Sequence, residues 1–305
     1  MTQSTASSST ASSSTTSPAG RRSLRRTAVV ALSALALAGI PVAAYAVNSG
    51  QAATTTGTHA ARATARSDPK PTVVLVHGAF ADSSGWYGVM DKLRKDGYPV
   101  RALNTPLRGL DSDAAYIRGF LDTVKGPIIL VGHSYGGAVI TNAAAGDPDV
   151  KALVYVAALV PDAGEKLTDV TAHPVTHPLP AQPLQAVPIT GADGTRGVEL
   201  TLDPAKFRAF FAADVSPGKA ADMADAQNSV NVAAFNQPSA AAAWRTIPSW
   251  YLVAKQDRIL SPELERWMAK RAGARTVEIN SSHAAMVSHP GAVKNLIEQA
   301  DRGTD

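Results

Sequence analysis

Pro127-Ile128-Ile129-Leu130-Val131-Gly132-His133-Ser134-Tyr135-Gly136-Gly137 is the stretch from which the rest of this 305-residue chain can be read. Ile128 to Val131 is apolar without alternation, the pattern of a strand buried on both faces of a parallel sheet. Tyr135 to Ala145 is small and helix-compatible, so the chain passes from strand to helix within about two residues. Such a turn forces its middle residue into a strained backbone conformation and brings neighbouring chain close. Gly132 and Gly136 remove the side chains that would collide there. The Ser134 hydroxyl is thereby lifted above the sheet, with the Tyr135 N–H pointing at whatever it attacks.

Outward from this turn the same rhythm repeats. Thr72 to Val76 is a second non-alternating β-branched run, ending in His77-Gly78-Ala79-Phe80. Ser84 to Asp96 carries Trp86, Val89, Met90 and Leu93 at helical spacing, closed by Gly97. Pro99 to Leu103 reads as a strand, Asp111 to Val124 as a helix and Val150 to Leu159 as another buried strand. After a break the pattern resumes with strand Ser249 to Ala254, helix Pro262 to Arg271, strand Thr276 to Ile279 and helix Gly291 to Ala300. Alternation of this kind implies an α/β fold with a mostly parallel central sheet flanked by helices.

The break, residues 162–246, reads as a lid inserted after the strand that ends near residue 160. Its first part, to Pro188, is proline-rich and poorly periodic. Its second, from Asp203, places Phe207, Phe210, Phe211, Met223 and Phe235 at helix-like spacing. These phenylalanines suit either an acyl-binding wall or a small core belonging to the lid itself.

The amino terminus is of a different kind. A Ser/Thr-rich tract precedes Arg21, Arg22, Arg25 and Arg26, then an apolar run from Ala28 to Ile40, then Ala44-Tyr45-Ala46. Basic region, apolar region and small-residue cleavage site in that order predict a signal peptide over residues 1–46, too short in its apolar run for a membrane span. The arginine pair resembles a twin-arginine signal; Ala28 stands where that consensus has a bulky residue, so the general secretory route stays open as well. Residues 47–69 predict a disordered spacer, and residues 70–302 a single α/β domain. The net charge of +4 comes from those four arginines, since the segment holds no acidic residue. The exported chain is charge-balanced, which gives no reason to expect nucleic acid or a membrane surface as partner. With no cysteine, thiolate metal sites, thiol nucleophiles and a lipid-anchored cleavage site are excluded together.

A serine hydroxyl is nearly inert at neutral pH and needs a base within reach, itself oriented by a third group. His283 follows the strand Thr276 to Ile279, and Asp257 follows the strand ending at Ala254. Loops at the carboxyl ends of parallel strands gather on one edge, so Ser134, Asp257 and His283 can converge there. Among the other histidines, His59 is in the spacer, His173 and His177 are in the lid, His77 and His133 flank glycines at strand ends, and His289 belongs to a helix start before Pro290. Asp162 is the rival for Asp257, which its spacing to His283 favours, while Asp82 reads as a helix cap. The Ala79 and Tyr135 amides are the expected oxyanion donors. Phe80, His133 and Trp244 are expected near the substrate.

Three segments carry a family resemblance: Val74-Leu-Val-His-Gly-Ala-Phe80, Leu130-Val-Gly-His-Ser-Tyr-Gly-Gly137 and Leu153-Val-Tyr-Val-Ala-Ala-Leu-Val-Pro-Asp162, with Ser281-Ser282-His283 near the end. They resemble the α/β-hydrolase superfamily, in the branch that holds plant methyl esterases, hydroxynitrile lyases and bacterial serine esterases. The resemblance implies an α/β-hydrolase fold and a triad in the order Ser, Asp, His. The lyases of that branch have threonine where this chain has Gly78, and lysine where it has Ala284. Their absence removes cyanide chemistry and leaves a serine esterase acting on small-molecule esters without metal or cofactor. Lactone opening and cofactor-free perhydrolysis use the same triad, and a slow-turnover ligand-binding protein uses the same fold. A dehalogenase would need an aspartate at Ser134.

Overall fold

The computed structural model describes residues 69–304. The predicted signal peptide, and the predicted spacer apart from Pro69, lie outside the described residues. In chain order the strands are β1 (Thr72–Val76), β2 (Val100–Leu103), β3 (Ile128–His133), β4 (Val150–Val156), β5 (Leu184–Thr190), β6 (Arg196–Leu202), β7 (Val230–Asn231), β8 (Ser249–Ala254) and β9 (Arg275–Ile279). The main helices are α1 (Tyr87–Lys95), α2 (Leu110–Leu121), α3 (Tyr135–Ala143), α4 (Leu167–Thr171), α5 (Pro204–Phe211), α6 (Pro217–Asp225), α7 (Ala233–Asn236), α8 (Pro262–Arg271), α9 (Ala285–Ser288) and α10 (Pro290–Arg302).

Six strands form one sheet in the order β2-β1-β3-β4-β8-β9, with every neighbouring pair parallel. Alternate residues of its strands serve two separate cores. Val74, Val76, Leu130, Leu153 and Tyr251 face α2, α3 and α8, meeting Ile117, Val139 and Met268. Val73, Leu75, Ile129, Val131 and Trp250 face α1 and α10, meeting Leu93, Val293 and Leu296. Burial on both faces is why these strands are apolar without alternation, each Val, Leu or Ile contributing about 1.5–3 kcal/mol.

The strand order reverses between β1 and β3, since the chain runs outward from β1 to β2 and returns on the other side of β1. Loops after these two central strands therefore part at the carboxyl edge and leave a crevice, the place where open parallel sheets bind ligands. His77 to Phe80 follow β1 and Ser134 follows β3, one on each side of that crevice.

Between β4 and β8 the structure departs from expectation. The strand expected to reach Leu159 stops at Val156, because Ala157 turns to φ 43°. A hairpin starts at the end of the proline-rich stretch and runs past it: β5 and β6 pair antiparallel over seven residue pairs, and β6 also pairs with β7. Pro188 sits in β5, which is the edge strand, so its missing N–H leaves no ladder bond unmade. The second half is helical, as its phenylalanine spacing predicts, in α5, α6 and α7. Among the described residues no helix is long and apolar enough to cross a membrane.

Candidate active site

At the end of β3, Ser134 adopts φ 53°, ψ −125°, a left-handed conformation that costs a non-glycine residue on the order of 1–3 kcal/mol. Close packing holds it there. A Cβ on Gly132 would lie 2.6 Å from Gly136 O, and one on Gly136 would lie 2.7 Å from both Val76 O and His77 O. Gly78 is equally constrained, its hypothetical Cβ falling 2.6 Å from the Ser134 Cβ. Gly136 and Gly78 let the end of β1 approach the turn into α3, and Gly132 lets β3 fold tightly into that helix. Phe80 also has positive φ, at 61°, so the loop after β1 is strained beside the serine.

Ala79, Phe80, Ser134 and Tyr135 together line one end of a cavity of about 570 Å³. No carbonyl of a turn, loop or cap accepts from the Ala79 or Tyr135 N–H among the described residues. Tyr135 is fixed at the first position of α3 by its own side chain: its hydroxyl donates to Asp113 Oδ2 at 2.7 Å. Burial, then the Asp113 charge, push the Tyr135 phenol far above its ordinary range.

His283 and Asp257 meet. Nδ1 of His283 donates to Asp257 Oδ2 at 2.5 Å, and both side chains are wholly buried. The other Asp257 oxygen accepts from Ile259 N at 2.6 Å and Leu260 N at 2.9 Å. A carboxylate in this position needs such donors, because burying it without them would cost several kcal/mol. His283 Nε2 is buried and has no hydrogen-bond partner. An imidazole held by Nδ1 with a free Nε2 is a base with its lone pair unspent.

The loop bearing His283 is clamped from two sides. His133, next to Ser134, donates from Nε2 to His283 O at 2.9 Å, and the two rings lie 4.6 Å apart. Burial, and then the charge His283 would carry, hold His133 well below the usual histidine range, so it stays neutral. From the insertion, Phe211 O accepts the Ala284 N–H at 3.0 Å and the Phe211 ring meets the His283 ring edge-on at 4.8 Å. Asp214, in the link between α5 and α6, accepts hydrogen bonds from the hydroxyl and the N–H of Ser282. Burial alone would raise the Asp214 carboxyl, but these bonds hold it below the ordinary carboxylate range.

Two expected substrate contacts lie elsewhere. His133 is fully buried behind Ser134 and touches the His283 loop, not the cavity. Trp244 is absent from the cavity wall: its indole donates to Pro161 O at 2.8 Å, and Arg245 and Arg271 lie against its ring. Phe80 does line the cavity. Of the lid phenylalanines only Phe235 reaches it, whereas Phe207 and Phe211 stack at 4.8 Å in the core beneath. Asp162 is engaged by Arg245 at the surface and is not available to His283. Asp82 caps the turn before α1 by accepting from Ser84 N at 2.7 Å. His77 is fixed between Gly78 O and Thr105 N. Asp214 gives no periodic signal in the sequence, while Glu265 sits on the inward face of α8 at helical spacing from Met268 and Ala269. Among the described residues no group of three or more histidine, aspartate or glutamate side chains is placed to hold a metal ion.

Comparison with known proteins bears on this arrangement. Residues 73–296 match the model of the alpha/beta hydrolase family. The alpha/beta hydrolase nvfD of Aspergillus novofumigatus is 28% identical over 253 residues, covering 76% of this chain and 96% of that protein. The esterase PIR7B of Oryza sativa subsp. japonica is 29% identical over 253 residues, covering 73% and 93%. Among solved structures, polyneuridine aldehyde esterase superposes with a TM-score of 0.63 at 19% identity, covering 75% of this chain and 98% of that one.

Proposed function

We propose, from the premise that this chain belongs to the alpha/beta hydrolase family, that it is a carboxylic ester hydrolase working through Ser134, His283 and Asp257. One observation carries the reading: a buried imidazole bonded through Nδ1 to a buried carboxylate, its Nε2 free, in a site whose serine stands on a strained strand-to-helix turn. The similarity to named esterases supports the same reaction class.

The mechanism follows from the donors and acceptors present. His283 Nε2 removes the Ser134 proton as Oγ attacks the ester carbonyl, and Asp257 stabilises the imidazolium through Nδ1. The Ala79 and Tyr135 amides, which no turn, loop or cap carbonyl engages among the described residues, receive the oxyanion. His283 returns the proton to the leaving alcohol. Water then repeats the sequence on the acyl-enzyme. Hydrogen bonds of this kind are commonly long in an unliganded site and tighten once substrate is bound.

The cavity wall beyond Ser134 is largely apolar, with Leu159, Val175, Leu200, Phe235 and Leu260 outnumbering polar groups such as Gln182 and Asn236. Its volume of about 570 Å³ lies in the range of drug-sized ligand sites. Esters with a sizeable apolar acyl or alcohol group fit it. The signal-peptide pattern of residues 1–46 supports, within the same proposal, an activity outside the cytoplasm.

The test is hydrolysis of p-nitrophenyl esters, lactones and amides by the chain from residue 47, beside Ser134→Ala. Ester turnover should fall at least about a thousandfold in the variant. Equal rates in the two proteins would exclude the esterase, and turnover confined to lactones would favour the lactonase.

A further inference from the structure

Helix α8 turns one carboxyl group inward. Glu265 shares its face with Leu264, Met268 and Ala269, all buried, and is itself without solvent exposure. Oε2 accepts the Ala254 N–H, from the end of β8, at 3.1 Å. Oε1 meets no donor. Ala254 ties this carboxyl to Asp257: its N–H goes to Glu265 Oε2, and its carbonyl accepts the Asp257 N–H at 3.1 Å, so the two buried acids stand beside each other.

Two acceptor-only groups side by side cannot bond, and two charges there repel. Such a pair keeps one proton. The donors decide which member holds it. Asp257 accepts from Ile259 N, Leu260 N and His283 Nδ1, all of which favour its charge. Glu265 has only Ala254 N. Its neighbouring cation, Arg266, is turned to a two-pronged pair with Glu278 at 2.8 Å. The remaining titratable neighbour, Tyr251, donates its hydroxyl to Ala158 O. Burial, then the Asp257 charge, raise the Glu265 carboxyl well above the usual glutamate range.

We propose that Glu265 is a positioning residue for this site: as a neutral acid it donates its proton to the Asp257 carboxylate, adding a fourth donor to the three already holding that group. The bond spans the link between α8 and the end of β8, so it fixes the carboxylate that orients His283. It also withdraws negative charge from Asp257. The imidazolium is then held without becoming too weak an acid to pass its proton to the leaving alcohol. This inference rests on the esterase reading for its kinetic consequence only.

Two variants test it. Glu265→Gln keeps an acceptor for Ala254 and an N–H donor for Asp257, whereas Glu265→Leu keeps only the volume. The first measurement needs no substrate: urea unfolding of the wild type and of Glu265→Gln from pH 4 to 8. A native-state carboxyl raised above its unfolded value stabilises the fold below the ordinary glutamate pKa and loses that contribution as pH rises. The wild type should therefore lose stability relative to Glu265→Gln across this range. The opposite slope would mean an ionised Glu265 and would overturn the proposal. The second measurement is the pH dependence of kcat/KM. Glu265→Gln should retain kcat within about threefold, with the acid limb unmoved. Glu265→Leu should lose about 10- to 100-fold, as outer-shell partners do, with the acid limb moved to higher pH because Asp257 is left more basic. A limb moved to lower pH in Glu265→Gln, or wild-type kinetics in Glu265→Leu, would overturn it. Should Glu265→Leu fail to fold, the two Glu265→Gln measurements decide. If the wild type hydrolyses no ester, the unfolding slope still reports where the proton sits, which separates this inference from the reaction it would serve.

Discussion

Gly136→Ala should damage rate and stability together, by amounts that follow from the contacts around it. The added methyl would sit 2.7 Å from both Val76 O and His77 O, backbone atoms that no side-chain rotation can move, whereas ordinary contact begins near 3.4 Å. Relief therefore requires β1 and α3 to part by roughly 0.7 Å, the difference between those two distances. Overpacking of this kind costs about 1–3 kcal/mol, which for a domain of this size lowers Tm by about 2–12 °C. The same movement separates the Ala79 amide, after β1, from the Tyr135 amide, at the start of α3, so an oxyanion can no longer meet both. Misplacement by about 1 Å costs on the order of 100-fold, and kcat should fall about 30- to 100-fold. The assay is saturating hydrolysis of a p-nitrophenyl ester beside thermal unfolding. The control is Gly119→Ala, where a methyl on the exposed face of α2 meets nothing within 4 Å. There the gain in helix propensity, about 0.8–1.0 kcal/mol, should raise Tm by about 2–4 °C without altering the rate. A Gly136→Ala protein with the rate and Tm of the wild type would refute the account of how these two elements are held.

Asp214→Asn should flatten the acid side of the stability profile. The depressed carboxyl stabilises the fold above its unfolded pKa of about 3.9 and loses that contribution as pH falls through the lower folded value, so in urea titrations the wild type should lose more stability over that window than the variant. Leu200→Trp, filling the cavity from β6, should leave p-nitrophenyl acetate turnover within about twofold and cut that of a hexanoate ester about tenfold or more, since 1–3 kcal/mol is the usual worth of such contacts; parallel loss on both esters would place Leu200 outside the acyl site. Asp257→Asn should lower kcat by about 10⁴ while preserving the fold, as read by kinetics beside circular dichroism.

Much of the arrangement is legible because the residues that build it are read locally. Strands β8 and β1 and helix α8 have the limits expected of them, since each is bounded by a clear change of pattern: proline opening α8, glycine after it, and runs of Val, Leu and Ile with little polar interruption in the strands. The tight turn from β3 into α3 is visible in Gly132, and the close approach of neighbouring chain, which is β1, in Gly136. The end of β4 is not, because the apolar character of Leu153 and Val154 continues through Leu159 and Val160 while the backbone turns at Ala157, and nothing in the composition marks that turn. Hairpin β5–β6 is hidden for a related reason. Pro188 argues against a strand only if the strand is interior, and edge position is a tertiary fact. The nearness of Trp244 to the lid's return suggests a substrate contact, but the Pro161 carbonyl draws its N–H the other way. Glu265 is within reach of inspection, since a carboxylate three residues before Met268 and four before Ala269 falls on the inward stripe of α8.

The insertion has two parts with different obligations. The corner joining α5 to α6 is bound to the imidazole loop through Phe211 O and Asp214, and its Phe211 ring packs on His283. Change there reaches the base itself, so this corner behaves as part of the site rather than as its cover. Residues of the segments 173–184 and 232–236, with Leu200 on β6, line the cavity, and among the described residues no hydrogen bond ties them to the His283 loop. Substitutions among them alter the shape offered to a substrate while leaving the proton path intact. Selection for a new ester can therefore act on one portion of the insertion freely, provided the other keeps Phe211 and Asp214 where the histidine needs them.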